Sequence, residues 1–291
     1  MHSSTIRARG ALLVLCVTLA ACAGARRDAS TPDTRHPTPG IRVLVYNIHA
    51  GLDANGASNL DSVAALVRAM AADLVLLQEV DSVVRRSGGV DQPTTLAERT
   101  GMHVAFGSTL PYQGGQYGIA VLSRWPIVRH ELVPLAVTPP QPRVGGAYEP
   151  RGALHVLVDA PGGALHVINT HLDASGDDRV RRQEADSVLA IAHRLGAGGE
   201  PVLVGGDFNS TPESVVQQRI RDGGLRDLWA SCGAGDGLSF PASGPVKRID
   251  YLYGTGAAAC RRAEVLQTRA SDHRAVLFEL DGRGGARAGS R

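Results

Sequence analysis

Short apolar runs separated by turn-forming residues restrict the fold of this sequence more than any other feature. Ile41–Ile48 and Asp73–Val80 are rich in β-branched residues and leucine, as expected of buried strands. Ala160–Gly163 (APGG) separates two more strand patterns in the manner of a hairpin turn. Helical spacing predicts helices at Asn59–Met70, with Asn59 as its cap, and at Asp177–Leu195. Hairpins mixed with strand–helix–strand units exclude a purely parallel sheet and predict an α/β fold with mixed sheets.

The same patterns place the other elements. Short helices are predicted at Pro93–Thr100, closed by Gly101, and after Pro212. Two strand patterns echo each other, VLVYNIH at 43–49 and LHVINTH at 165–171, because each ends in Asn-x-His. Further strands are predicted at His103–Gly107, Gly118–Ser123, Ile127–Val137, Gly152–Asp159, Ala164–Thr170, Pro201–Gly205, Ile249–Tyr253, Ala263–Thr268 and Arg274–Leu280.

The first 21 residues have the pattern of a targeting segment. Arg7 and Arg9 precede the uncharged run Ala11–Ala21, which is too short to span a membrane as a mature helix. Leu19–Cys22 (LAAC) resembles the cleavage box of bacterial lipoproteins, in which the cysteine becomes the lipidated first residue. The alternative is an ordinary secretory signal cut elsewhere in this stretch. We therefore expect an exported protein that is anchored to a membrane through a lipid on Cys22.

Composition divides the rest of the chain. Residues 22–40 are rich in Pro, Thr, Ser, Asp and Arg without apolar periodicity, which predicts a disordered tether. Residues 41–281 form one predicted domain, large enough to bury a sizeable core. Residues 282–291 are rich in glycine and arginine, and we expect a disordered tail there.

The charge balance argues against a dedicated nucleic-acid-binding protein. The chain has 30 Lys and Arg against 28 Asp and Glu, and loss of residues 1–21 removes Arg7 and Arg9, leaving 28 against 28. A nucleic-acid-binding protein usually carries a basic surplus, and the 4% aromatic content is low for a base-stacking surface. Local DNA binding remains open as an alternative.

Four cysteines occur in the sequence. Cys16 lies in the targeting segment and Cys22 is the proposed lipid site, which leaves Cys232 and Cys260 in the predicted domain. Export favours an oxidising compartment, where a disulfide between them is one of two open alternatives. The other is a pair of free thiols.

Polar residues interrupt the apolar strands near their ends. Buried acids and amides are costly unless they are paired or bound to metal, so their repetition at strand ends predicts convergence on one site. Oxygen ligands without cysteine or several histidines favour a hard cation such as Mg²⁺ or Mn²⁺ over zinc. Pairs of Asp and His suit the activation of water. The residues concerned are Asn47, Glu79, His171, Asp207, Asn209, Asp250, Asp272 and His273.

Six segments in order resemble the motifs of the endonuclease/exonuclease/phosphatase superfamily, which includes neutral sphingomyelinases and deoxyribonuclease I-like enzymes. They are LVYNIH (44–49), LLQEVD (76–81), INTHLD (168–173), GGDFNSTP (205–212), RIDYLY (248–253) and SDHRAV (271–276). The resemblance covers nearly the whole predicted domain. It implies a four-layer α/β sandwich in which two packed mixed β-sheets are flanked by helices, with the site at one edge.

The resemblance also implies roles for the polar residues. Glu79 would be the main ligand of Mg²⁺ or Mn²⁺, with Asn47 beside it and Asp272 assisting. Asp207 would orient and deprotonate the attacking water, and Asn209 would hold the phosphate or that water.

Four further residues complete the expected site. His273 would donate to a non-bridging phosphate oxygen, and Asp250 would orient its ring. His171 would contact the phosphate from the other side. Arg151 occupies a position where the family often has a phosphate-binding arginine. Tyr117 precedes a Leu-Ser-Arg segment that resembles a family stretch, and it either lines the pocket or simply packs.

These features favour a monomeric, exported phosphodiesterase or phosphatase that acts on a phosphate ester, with a phospholipid head group as one substrate class. A deoxyribonuclease-type endonuclease is a second hypothesis, which the charge balance disfavours. A catalytically inactive binding or scaffold protein of the same fold is the third, and the full set of acids and histidines argues against it.

Overall fold

The computed structural model describes residues 40–256 and 258–282. Cys22, the targeting segment, residues 22–39 of the expected tether and residues 283–291 of the expected tail lie outside the described residues. Among the described residues, no helix has the length and apolar character needed to cross a membrane.

The described residues form alternating strands and helices whose positions follow the sequence patterns closely. The strands are β1 (Ile41–Asn47), β2 (Leu74–Ser82), β3 (His103–Tyr112), β4 (Gly115–Ser123), β5 (Ile127–Pro134), β6 (Gly152–Ala160), β7 (Gly163–His171), β8 (Val202–Asp207), β9 (Arg226–Asp227), β10 (Asp250–Gly254), β11 (Cys260–Val265) and β12 (Val276–Leu280). The α-helices are α1 (Leu60–Ala69), α2 (Gln92–Thr100), α3 (Asp178–Gly196), α4 (Val215–Asp222) and α5 (Leu228–Cys232), and single 3-10 turns occupy His49–Gly51 and Arg85–Ser87.

The strands form two six-stranded sheets with matching arrangements. The first sheet has the order β11-β12-β1-β2-β4-β3, and the second has the order β5-β6-β7-β8-β10-β9. Each sheet contains one parallel pair, β1 with β2 and β7 with β8, and its other pairs are antiparallel. The expectation of mixed sheets is confirmed. The two strands that echo each other in sequence, β1 and β7, hold the same place in their sheets.

Three apolar clusters hold the layers together. Val45 and Leu76 of the first sheet pack with Val167 and Leu203 of the second in a core between the sheets. The opposite faces of the strands are covered by helices, α1 and α2 on the first sheet and α3 and α4 on the second. Since successive side chains of a strand point to opposite faces, each central strand must be apolar on both, which explains its nearly continuous apolar sequence. The predicted four-layer sandwich is confirmed.

Local signals fix two helix ends, of which the closing Gly101 of α2 was predicted. Asp177 accepts a hydrogen bond from the backbone nitrogen of Arg179 at 2.8 Å and caps α3. Gly101 ends α2 with a φ of 67°, in the left-handed region that glycine adopts without a steric penalty.

Asn59 occupies the predicted N-cap position of α1, but its side chain does not act as the cap. Its side chain makes no capping bond, and its Nδ2 instead donates to the carbonyl oxygens of Ile48, Leu52 and Ala270 at 2.9, 3.2 and 2.6 Å. Asn59 thereby ties the turn after β1 to the loop before β12. This contact joins distant parts of the chain, so the local cap pattern could not reveal it.

Other boundaries also differ from the expectations. β3 continues to Tyr112, well beyond the predicted end at Gly107, and pairs with β4 in a long hairpin. The short elements β9 and α5 were not predicted, because a strand of two residues and a helix of five carry too little periodicity.

Cys232 at the end of α5 and Cys260 at the start of β11 form a disulfide, with their Cα atoms 5.7 Å apart. The bridge resolves the two alternatives left open by the sequence. It closes a loop of 28 residues, and the chain-entropy model assigns such a loop a stabilisation of about 3.5 kcal/mol.

Replacement of both Cys232 and Cys260 by serine should lower the free energy of unfolding by about 3 kcal/mol, because the unfolded chain regains the loop's conformational freedom. Urea unfolding of the double variant and the parent protein measures this difference. Peptide mapping of the non-reduced parent should recover the two cysteine peptides as one linked species, and two alkylated thiols would contradict the assignment.

Candidate active site

The polar residues singled out in the sequence meet at one edge of the sandwich. Four strands bring side chains there at or near their carboxyl ends, whereas β10 and the segment before β12 bring theirs from the amino end, since these two strands run antiparallel to their neighbours. The residues are Asn47 on β1, Glu79 on β2, His171 on β7, Asp207 on β8, Asp250 on β10, and Asp272 and His273 before β12.

A bulge in β2 determines how Glu79 is presented. The pairing of β2 with β4 shifts register between Leu77 and Val80, and Glu79 has a φ of 55°. A non-glycine residue in this region carries strain of about 1–3 kcal/mol, which the surrounding structure must offset. Glu79 remains partly exposed in a strand that is otherwise largely buried, so its carboxylate is available to a ligand.

Asp207 is the most connected carboxylate of the site, and only 1% of its surface is exposed. Its Oδ1 accepts from the backbone nitrogen of Asn209 at 2.9 Å, and its Oδ2 accepts from Nδ2 of Asn47 at 3.1 Å. The Nε2 atoms of His171 and His273 each lie 3.6 Å from the same Oδ2. Burial, opposed by the nearby His273, raises the pKa of Asp207 to about 7.

His273 and Asp250 form a buried hydrogen-bonded pair. Nδ1 of His273 lies 3.0 Å from Oδ2 of Asp250, and that oxygen also accepts from the Ser239 hydroxyl at 2.5 Å. Burial opposes the charged imidazolium, but the carboxylates of Asp250 and Asp207 outweigh it and raise the pKa of His273 to about 10. His273 is therefore a cation at neutral pH, and its Nε2 lies 3.6 Å from Oδ2 of Asp207.

His171 has the opposite electrostatic character. Burial, together with the neighbouring Arg151, lowers its pKa well below the usual value, so the ring is neutral. Nη1 of Arg151 lies 3.1 Å from Nδ1 of His171, and Nδ2 of Asn209 lies 3.1 Å from its Nε2. Both neighbours are donors, and a neutral imidazole has one acceptor nitrogen, so only one of the two contacts is a hydrogen bond.

These residues line a cleft of about 240 Å³. Tyr117, for which the sequence left pocket lining and plain packing open, lies on its wall, and Asp272 is partly exposed on it. Asn47 and Asp250 lie behind the wall and contact lining residues. The lining consists of Glu79, Arg86, Tyr112, Tyr117, Arg143, Gly146, Glu149, Arg151, His171, Ala174, Asp207, Asn209, Phe240, Asp272 and His273.

Two groups of side chains in this cleft are candidates for holding a divalent cation. Asp207, Asp250 and His273 offer ligand atoms within 4.8 Å of one another. The raised pKa of His273 opposes that arrangement, because a protonated imidazole cannot bind a metal. Glu79 and Asp272, in contrast, present carboxylates to the cleft, and oxygen donors of this kind fit Mg²⁺ or Mn²⁺.

Asn47 has a defined geometry beside Glu79. Its Nδ2 donates to Oε1 of Glu79 at 3.0 Å as well as to Asp207, and its Oδ1 accepts from the backbone nitrogen of His49 at 3.1 Å. It therefore fixes the position of the Glu79 carboxylate. Its role as a metal ligand stays a prediction.

Two buried residues beneath the site, Gln78 and Asn169, were not among the predicted site residues. Nε2 of Gln78 donates to Oδ1 of Asn169 at 2.7 Å, and Asn169 donates to the carbonyl oxygens of Leu77 and Ala120. Gln78 and Asn169 are fully buried and link the two sheets. The sequence signal for both was a polar residue in the interior of an apolar strand. Gln78 directly precedes Glu79, and Asn169 lies in the strand pattern that ends at His171.

Comparison with known proteins places this arrangement in a family. Residues 44–273 match the profile of the Endonuclease/Exonuclease/phosphatase family. An uncharacterized protein of Escherichia coli strain K12, YbhP, is 33% identical over 253 residues, which cover 82% of this chain and 96% of that protein.

Solved structures show the same fold. An endonuclease/exonuclease/phosphatase from Beutenbergia cavernae is 28% identical, with a TM-score of 0.66 over 84% of this chain and 72% of that one. A mannosyl-6-phosphatase from Bacteroides thetaiotaomicron is 20% identical, with a TM-score of 0.69 over 82% of this chain and 99% of that one. The chain therefore belongs to the Endonuclease/Exonuclease/phosphatase family, whose members are generally hydrolases acting on phosphoesters.

Proposed function

We propose that this protein is an exported, metal-dependent phosphoester hydrolase, a phosphodiesterase or phosphatase that attacks phosphorus with water. One observation carries the proposal. The carboxylate of Asp207 lies between the charged His273–Asp250 pair and the Asn47–Glu79 pair, within a single cleft. A base, an acid and an oxygen ligand for a cation are thus brought together where a phosphate can enter.

Asp207 acts on the nucleophile. A carboxylate whose pKa is raised to about 7 is basic enough to accept a proton from water and is still ionised in a useful fraction at neutral pH. Its hydrogen bonds from Asn47 and from the backbone of Asn209 fix both oxygens, so the water that it holds is oriented toward the phosphorus.

His273 acts on the phosphate. As a cation, it donates from Nε2 to a non-bridging oxygen, where negative charge increases in the transition state. Asp250 holds the ring by Nδ1 and keeps it protonated, and the Phe240 ring packs against it with centroids 4.7 Å apart. Asp250 is thus a positioning residue, since it acts through His273.

Arg151 and His171 serve the other side of the phosphate. The Arg151 side chain is 3% exposed and is held by Glu149 and the carbonyl oxygen of Gly146, so its charge is fixed in place. Burial and the charge of Arg151 keep His171 neutral. A fixed guanidinium and a neutral imidazole opposite His273 orient the ester for attack by the water on Asp207.

Glu79, assisted by Asp272 and positioned by Asn47, would hold Mg²⁺ or Mn²⁺, which neutralises charge on the phosphoryl group when bound. The cleft is of a size suited to a small phosphate ester or a lipid head group. A lipid on Cys22 would keep the site near a membrane surface, which favours the head group. The mannosyl-6-phosphatase shares the fold at 20% identity and therefore indicates no substrate for this chain.

The purified protein should hydrolyse bis-p-nitrophenyl phosphate or p-nitrophenyl phosphate with Mg²⁺ or Mn²⁺, and EDTA should abolish the activity. Glu79→Gln, Asp207→Asn and His273→Ala should each lower kcat by about a hundredfold or more, because each removes a group needed in the transition state.

Asp159 is exposed and remote from the cleft. The variant Asp159→Asn is therefore the matched control and should retain full activity. Near-normal activity in Asp207→Asn or His273→Ala would contradict the assigned roles. Absence of turnover with either metal would favour the scaffold hypothesis, and plasmid nicking comparable to that of a nuclease control would favour a deoxyribonuclease.

The pH dependence of kcat should report the His273–Asp250 pair. Because the pKa of His273 is raised to about 10, the acid form is present below that pH and is lost as the pH rises through it. Asp250→Asn removes the largest favourable charge, so the alkaline limb of the pH–rate profile should move to lower pH. An alkaline limb that does not move in Asp250→Asn would show that another group determines its position. Asp159→Asn serves as the control.

The lipid anchor can be tested separately from catalysis. In cells that process lipoproteins, the parent chain should incorporate labelled palmitate and sediment with membranes, whereas Cys22→Ser should do neither. Equal membrane association of the two proteins, without label in either, would indicate an ordinary secretory signal instead.

A further inference from the structure

On one wall of the cleft, the side chains of two arginines pack against the ring of a tyrosine. The guanidinium carbons of Arg86 and Arg143 lie 4.8 and 5.1 Å from the ring centroid of Tyr112, close enough for cation–π attraction. Arg86 also lies 5.1 Å from the ring centroid of Tyr117. We call Arg86, Tyr112 and Arg143 the arginine rim. None of the catalytic roles above uses it.

Both arginines of the rim bind a carboxylate through the edge of the guanidinium that carries Nε and Nη2. Nε and Nη2 of Arg86 donate to Asp81 at 2.9 Å each, and Nε and Nη2 of Arg143 donate to Oε1 of Glu149 at 3.1 and 2.7 Å. Within the described part of the chain, neither Nη1 atom has a hydrogen-bond partner. Since a guanidinium has five N–H donors, each arginine keeps donors for a ligand.

The charges along this wall leave a positive surplus. Three guanidiniums, Arg86, Arg143 and Arg151, face two carboxylates, Asp81 and Glu149. The other acids that line the cleft, Glu79, Asp207 and Asp272, lie with His273 and the candidate cation site. A single phosphate bound at that site leaves the Nη1 donors of the rim without a ligand oxygen.

The arginine rim is also held in place before any ligand arrives. The Asp81 side chain is fully buried and the Glu149 side chain is 8% exposed, so both anchors are fixed, while the side chains of Arg86 and Arg143 are 32% and 39% exposed. Fixed but accessible guanidiniums bind anionic oxygens with a small loss of side-chain entropy.

We propose that the arginine rim is a second anion subsite, so that the preferred substrates are phosphate esters that carry a further phosphate or equally charged anionic group. This inference rests on the proposed function, because it describes the substrate of that same cleft. The scissile phosphate lies between Asp207 and His273, and the second anionic group lies against the free Nη1 atoms of Arg86 and Arg143.

Two hydrolysis-resistant probes test the subsite without turnover. Butylphosphonate carries one anionic group, and butane-1,4-bisphosphonate carries two on the same chain, so the ratio of their dissociation constants isolates the second group. Titration calorimetry of the full-length protein with Mg²⁺ should give about tenfold tighter binding of the bisphosphonate, beyond the statistical factor of about two, as expected of charge-assisted hydrogen bonds. Bisphosphonates with chains of two to six carbons would find the best span.

Arg143→Gln should reduce this preference to the statistical factor while leaving the affinity for butylphosphonate within about twofold, because one of the two guanidiniums of the rim is lost. Arg143→Lys keeps the charge and should retain part of the preference. Arg262→Gln, which removes a 60% exposed arginine outside the cleft, is the matched control and should keep all of it.

The outcomes separate the two proposals. A preference equal to the statistical factor in the parent protein, or one unchanged in Arg143→Gln, would overturn the subsite. A preference that Arg143→Gln abolishes supports it, even if no phosphoester is turned over, and that failure would count against the proposed hydrolase alone. If Arg143→Gln unfolds, Arg143→Lys and the parent provide the comparison. A statistical value in the parent at every chain length, or a preference that Arg143→Lys leaves undiminished, would reject the rim.

Discussion

The packing of the two sheets is the constraint on which the site depends, because two of its hydrogen-bonded pairs have one member on each sheet. Asn47 on the first sheet donates to Asp207 on the second at 3.1 Å, and His273 beside the first sheet binds Asp250 on the second at 3.0 Å. The proposed base Asp207 lies on the second sheet, and the proposed acid His273 lies beside the first. The apolar core between the sheets therefore fixes the separation of the reacting groups, and the buried bond from Gln78 to Asn169 fixes it again directly beneath them.

Two histidines at this edge differ in protonation state although both are buried. Two histidines lie at the same distance from Asp207, yet the pKa of His273 is raised to about 10 and that of His171 is lowered well below its usual value. The difference follows from their partners, which are a carboxylate for His273 and a guanidinium for His171. A fixed cation and a fixed neutral imidazole on either side of one carboxylate provide distinct roles from one residue type.

Sequence patterns predicted the strands and the site residues more fully than the contacts between them. Polar residues at the ends of apolar strands can be recognised in the sequence, and strand direction then brings them to one edge of the sandwich. The bulge that presents Glu79 cannot be recognised in the sequence, because it arises from the pairing of β2 with β4. The same holds for Asn59, whose cap signal is overridden by carbonyl oxygens from two distant loops, and for the arginine rim, whose members come from three separate loops or strand ends. Long-range contacts decide all three features.

The two strands that echo each other in sequence show how matching sheets produce an asymmetric site. β1 ends at Asn47, so His49 lies in the turn beyond it with a φ of 52°, and only its backbone nitrogen contacts Asn47. β7 continues through Asn169 to His171, so this histidine stays in the strand and reaches the cleft, whereas Asn169 is buried between the sheets. A difference of two residues in strand length thus assigns the amide of one strand and the imidazole of the other to the site. Equivalent motifs supply complementary groups because the strands end at different places.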